Sequence, residues 1–153
     1  MDQNTLYSNR RSLVALIIGV VLGVVVGGFA TAVGFDRDRS FYPVVMVVIA
    51  SYYSLFAVMG ASTQALLLET LVGAAFIAAA VMGFKSSLWI VAAAIAVHGL
   101  TDFFHTAVIP NPGVPPFWPA FCAGIDLTLA AYLAWLLRTR LDPTVQHDPR
   151  SPR

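Results

Sequence analysis

The chain has 153 residues, of which 58% are hydrophobic and 11% are charged, with a net charge of +1. A soluble globular domain usually carries about 25% charged residues. This composition therefore excludes an ordinary cytosolic domain, a disordered chain and a basic nucleic-acid-binding surface. The single cysteine, Cys122, excludes an internal disulfide and any paired-cysteine motif. The composition predicts an all-α integral membrane protein.

Five segments are long and apolar enough to be transmembrane helices, each needing about 20 apolar residues. We predict a single domain over residues 1–141, a bundle of five transmembrane helices at about 12–34, 42–60, 63–84, 87–109 and 118–137. Charged, polar or proline-rich stretches separate these segments, and proline at 110, 112, 115 and 116 excludes a continuous helix there. The polar residues 142–153 are expected to form a disordered tail.

The basic residues favour one orientation of the five spans. Placing the N-terminus outside and the C-terminus in the cytoplasm leaves Arg10 and Arg11 as the only basic residues outside. We therefore expect a multi-pass protein of a bacterial-type inner membrane or of a plasma membrane. The alternative, in which the first segment is a signal peptide cleaved near Ala32, is disfavoured because its apolar run exceeds the usual length of such a region.

The first predicted span carries small residues at every fourth position, namely Ala15, Gly19, Gly23 and Gly27. Small residues at this spacing allow two helix backbones to approach closely in a membrane. The stripe predicts packing against another span of the same chain or, alternatively, a homodimer.

Five ionisable residues lie inside the predicted spans: Glu69, His98, Asp102, His105 and Asp126. The spacing of His98, Asp102 and His105 places all three side chains within about 60° on one straight helix. Because successive spans are antiparallel, the three carboxylates are expected at roughly 9–12 Å from the same membrane surface. No lysine or arginine lies in any predicted span, so protons or bound cations are needed to offset these charges.

Imidazole and carboxylate groups in this combination are typical ligands of zinc, iron or manganese. We predict that His98, Asp102 and His105 bind a divalent transition metal. Glu69 and Asp126 are then catalytic residues, as further ligands or with one of them as the general base. The predicted function is a metal-dependent hydrolase or oxidoreductase acting on a lipid or other apolar substrate that arrives from the surrounding membrane lipids. A proton or cation path and a structural or accessory membrane subunit are the alternatives.

Other polar residues in the spans are more simply explained by packing. Cys122 lies one turn before Asp126 and is expected to fill space as a small apolar side chain. Tyr52 and Tyr53 lie within a span and are expected to need hydrogen-bond partners. The His-x3-Asp-x2-His pattern loosely resembles the histidine-bearing helices of membrane hydroxylases and desaturases. Those families have many more histidines, so the resemblance implies no activity here.

Overall fold

The computed structural model describes residues 3–141, which form six helices and no strand. The helices are α1 (Gln3–Val33), α2 (Phe41–Met59), α3 (Thr63–Lys85), α4 (Leu88–Asp102), α5 (His105–Val108) and α6 (Trp118–Leu141). The all-helical class predicted from composition is confirmed. The tail predicted over 142–153 lies outside the described residues.

Four helices of the described chain are long and apolar enough to cross a bilayer: Asn9–Val33, Phe41–Met59, Thr63–Lys85 and Trp118–Thr139. The helix α4 is also apolar but has only 15 residues. At 1.5 Å per residue it is about 22 Å long, which is shorter than a hydrocarbon core of about 30 Å. The structure therefore supports four spans by length and composition, while a fifth span stays a prediction.

The helix predicted over residues 87–109 is interrupted, and this corrects the sequence-based expectation. Helix α4 ends at Asp102, and the single turn α5 begins only at His105. Between them the Phe104 N–H donates to the Thr101 carbonyl three residues earlier, as in a 3₁₀ turn, at 2.9 Å. No glycine or proline lies between Gly99 and Pro110 to cause the break. The redirected chain instead lets His105 contact α2 and α3, so tertiary contacts override local helix propensity.

The helices pack in the order α1, α6, α4, α3 and α2, so that α4 lies between α6 and α3. Helices α1 and α6 run parallel, because Gly19 contacts the backbone at Phe121 and Gly27 contacts the ring of Tyr132. A Cβ on Gly19 would overlap the carbonyl oxygen of Phe121, so this close approach requires glycine. The small-residue stripe thus packs within the chain. A homodimer through Ala15 and the three glycines stays a prediction.

The charged loop that follows α1 is tied to the helices around it. Asp36 is only 3% exposed and accepts a hydrogen bond from the Thr31 hydroxyl at 2.6 Å. The Arg39 guanidinium donates to three carbonyls at the end of α3, those of Gly83, Phe84 and Ser86. These carbonyls lack partners within the helix, so the arginine caps the C-terminus of α3.

Alternation of helix direction brings four helix ends together. The C-terminal ends of α2 and α4 lie at the same end of the bundle as the N-terminal ends of α3 and α6. The proline-rich segment closes over this end, since a Cβ on Gly60 would lie 2.5 Å from the Gly113 nitrogen. The ionisable residues lie beneath that segment.

Candidate metal centre

Two helices each contribute two potential metal ligands to one buried cluster. Helix α4 carries His98 and Asp102, and α6 carries Cys122 and Asp126. One ligand atom from each residue lies within 4.8 Å of the corresponding atoms of the other three. Each pair is spaced four residues apart, which puts both members on one face of its helix. We call these four residues the quartet.

The contact between α4 and α6 sets the geometry of the quartet. His98 Nδ1 lies 2.8 Å from Asp126 Oδ2 and 3.9 Å from Asp102 Oδ2. Cys122 Sγ lies 3.9 Å from the same Asp126 oxygen. Gly99 makes this approach possible, because a Cβ there would lie only 2.8 Å from the Cβ of Asp126. The close approach of α6 to α4 at this position therefore requires glycine.

Two carboxylate oxygens of the quartet have no hydrogen-bond partner. They are Asp102 Oδ2 and Asp126 Oδ1, and both side chains are buried. The carboxylates of Asp102, Asp126 and Glu69 form ion pairs with His98 or His105, and none of these pairs involves lysine or arginine. A buried carboxylate without a partner is costly, so the quartet presents negative charge and open lone pairs that a cation would satisfy.

Aromatic side chains surround the quartet and hold its members in place. The Tyr53 hydroxyl on α2 donates to Asp102 Oδ1 at 2.7 Å. The ring of Phe76 on α3 meets the His98 imidazole edge to face, with ring centroids 4.9 Å apart. Hydrogen bonds of this kind orient metal-ligating side chains and tune their basicity.

A second polar group lies next to the quartet and contacts the Tyr53 ring. His105 Nε2 lies 2.8 Å from Glu69 Oε1, and the Asn111 amide donates to the same oxygen at 2.9 Å. The Asn111 amide also donates to the Tyr53 carbonyl. The His105 imidazole stacks on the Tyr53 ring with centroids 3.8 Å apart.

The structure therefore brings together three of the five predicted site residues, His98, Asp102 and Asp126. It pairs the other two, Glu69 and His105, with each other and outside the quartet. The reason is the break after Asp102, since a straight helix would have kept His105 on the stripe of His98 and Asp102.

Three residues of the site were not assigned to it from sequence. Cys122 was expected to be an apolar filler, but its sulfur belongs to the quartet. Its spacing of one turn from Asp126 was the available signal. Tyr53 was expected to need a partner without one being named, and Asp102 is that partner. Asn111 had no distinguishing signal within the proline-rich segment.

A groove of about 390 Å³ on the bundle surface borders the quartet at Asp102, whose side chain is only 1% exposed. Asp102 forms part of its wall, together with residues of α1, of the α4–α5 turn and of the start of α6. These include Leu13, Leu16, Phe103 and Pro119. A small molecule in this groove would lie next to Asp102, whose carboxylate is buried.

Comparisons with protein-family models, with curated proteins and with solved structures found no match to the chain.

Proposed function

We propose that the protein is an integral membrane enzyme that binds a divalent transition metal at the quartet and acts on a lipid or other apolar substrate. The observation that carries the proposal is the convergence of four buried ligand atoms within 4.8 Å of one another. Such a group needs little movement to close around one ion.

Charge supports a dication in particular. Asp102, Asp126 and the metal-binding thiolate form of Cys122 would together supply three negative charges, of which one dication offsets two, while His98 remains neutral. The nitrogen, sulfur and oxygen donors favour zinc or iron over manganese, because thiolate and imidazole are softer ligands than carboxylate. Zinc is therefore the first metal to test.

The surroundings of the quartet support catalysis rather than a purely structural ion. A structural zinc site is closed by four protein ligands, whereas a catalytic site has three and keeps one position open. A catalytic ion at the quartet would therefore leave one of its four residues unbound or take a fifth ligand. The groove beside Asp102 is a surface cavity that borders the quartet and could hold a substrate next to it. A bound dication would supply Lewis-acid chemistry there, and the apolar helices favour a substrate that partitions into the bilayer.

A proton path is the second candidate, because polar side chains continue from the quartet to Glu69 and His105. However, no hydrogen bond among the described residues connects a quartet side chain to Glu69 or His105. Asn111 donates to Glu69 Oε1 and to the main-chain carbonyl of Tyr53, which is outside the quartet. This arrangement favours the metal site over a relay.

The test is elemental analysis of detergent-purified protein, comparing the wild type with Asp126→Asn and Glu69→Gln. Both variants replace a buried carboxylate by an amide of similar size, but only Asp126 belongs to the quartet. We expect near-stoichiometric zinc in the wild type and in Glu69→Gln, and its loss in Asp126→Asn. A metal-free wild type that also fails to bind added zinc would overturn the proposal, as would full retention of zinc by Asp126→Asn.

Two further measurements separate ligand roles from catalysis. With cobalt in place of zinc, coordination by Cys122 gives a sulfur-to-metal charge-transfer absorption that Cys122→Ser removes. A screen of lipid classes with zinc-loaded protein should then reveal turnover by the wild type that Asp126→Asn lacks. Zinc binding without any lipid turnover would reject the enzymatic part and leave a metal-binding protein.

A further inference from the structure

A second groove lies on a different part of the surface, between the first half of α1 and the start of α6. Its volume is about 620 Å³, larger than that of the groove beside Asp102. One end is formed by Tyr7, Arg10 and Arg11, and the remainder by apolar side chains that include Val14, Ile18 and Phe121. The groove therefore has one cationic end and one apolar end.

The cationic end has charge available for a ligand. Arg10 and Arg11 are both exposed, and no carboxylate in residues 3–141 forms an ion pair with either guanidinium. The Arg11 guanidinium is held at the groove by Tyr7, donating to its hydroxyl at 2.6 Å and lying 4.3 Å from its ring centroid. Tyr7 thus orients a cation without neutralising it.

The apolar end continues directly into the predicted hydrocarbon region. Val14 and Ile18 are 56% and 53% exposed, and they follow Arg11 on the same helix. Ile18 is seven positions after Arg11, which corresponds to about 10 Å along the helix axis. Phe117 and Phe121 from the start of α6 form the opposite wall. An extended acyl chain would lie along this groove, with the polar headgroup that it carries at the two arginines.

We propose that this groove binds an anionic phospholipid, with its phosphate at Arg10 and Arg11 and one acyl chain between α1 and α6. Two features of the groove support this ligand. The positive charges of Arg10 and Arg11 complement a phosphate, and the apolar part of the groove runs from these arginines into the predicted hydrocarbon region, as an acyl chain does. Basic pockets between membrane helices are typical sites for acidic lipid headgroups. A smaller groove of about 240 Å³ between α2 and α3 lacks any charged wall residue and so provides no comparable headgroup site.

The proposal is independent of the quartet, and its test uses the double variant Arg10→Gln/Arg11→Gln. The matched control is Lys85→Gln/Arg138→Gln, which removes two exposed positive charges that do not line the groove. Binding of phosphatidylglycerol and of phosphatidylcholine with identical acyl chains is measured by native mass spectrometry of the protein in neutral detergent. Circular dichroism compares the helix content of all three proteins.

We expect phosphatidylglycerol to bind the wild type and the control variant about 30-fold more tightly than phosphatidylcholine, from roughly fivefold for each arginine. In Arg10→Gln/Arg11→Gln this preference should disappear while helix content is unchanged. Equal binding of the two lipids to the wild type, or an equal loss of preference in both variants, would overturn the proposal. Competition by glycerophosphoglycerol as effective as that by the intact lipid would also overturn it, because the acyl chain would then contribute nothing.

Discussion

Replacing Tyr53 by phenylalanine tests whether the hydrogen bond to Asp102 prepares the quartet for a metal. The substitution removes the hydroxyl that donates to Asp102 Oδ1 at 2.7 Å but keeps the ring that stacks on His105. Because Asp102 Oδ2 already has no hydrogen-bond partner, the variant leaves this buried carboxylate without any hydrogen-bond donor. We expect weaker zinc binding with little change in the fold.

The size of the effect follows from the loss of that single donor. Removing one partner of a buried hydrogen bond costs about 1–3 kcal/mol. Loss of a hydrogen bond that supports a metal ligand lowers metal affinity by about 10- to 100-fold, which is about 1.4–2.8 kcal/mol. Since no other donor compensates at Asp102, we expect a decrease in the upper half of this range, about 30- to 100-fold.

The assay is a competition titration of metal-free protein in detergent against a chromophoric zinc chelator at fixed pH. Tyr52→Phe is the matched control, because Tyr52 packs on Trp118 and makes no side-chain hydrogen bond within the described residues. We expect Tyr52→Phe to bind zinc as the wild type does. If Tyr53→Phe also binds zinc as tightly as Tyr52→Phe, the reasoning that Tyr53 supports the metal centre is wrong.

Two further predictions concern stability. Gly99→Ala should lower the free energy of unfolding by about 1–3 kcal/mol, because its Cβ would lie 2.8 Å from that of Asp126 and overpack the contact between α4 and α6. Chemical denaturation in detergent measures this against Gly28→Ala, where a Cβ meets nothing within 4 Å, and equal stabilities of the two variants would contradict the prediction. Arg39→Met should cost about 0.3–1 kcal/mol through loss of its hydrogen bonds to the end of α3. Hydrogen exchange should then rise in the last turn of α3, and unchanged exchange there would show that the arginine is not its cap.

Hydropathy predicted where the long helices lie, because an apolar run bounded by polar residues leaves few other arrangements in a membrane. Hydropathy did not predict the residue at which the hydrogen bonding of each helix begins. Helix α1 starts at Gln3 rather than near residue 12, since a helix continues through polar residues that hydropathy assigns to water. The charged residues after the first span predicted a loop there, but not the burial of Asp36, which accepts a hydrogen bond from Thr31.

The site was predictable to the extent that helix geometry is regular. Residue spacing and depth in the membrane were enough to predict that His98, Asp102 and Asp126 lie close together. Helix α4 is regular up to Asp102, and the antiparallel order of the spans determines the depth of each carboxylate. His105 fell outside the group because the same reasoning assumed that the helix stays straight. The break depends on contacts with residues far away in sequence, and those contacts leave no local pattern.

The early end of α4 has an electrostatic consequence for the quartet. Asp102 is the last residue of this helix, and His98 begins its final turn. The aligned peptide dipoles of a helix place about half a negative charge at its C-terminus, where a cation is favoured and an acidic side chain is not. The main chain therefore adds negative potential to that of the carboxylates and increases the need for a positive ion beside them. This contribution comes from the peptide backbone, so it persists when any side chain of the quartet is replaced.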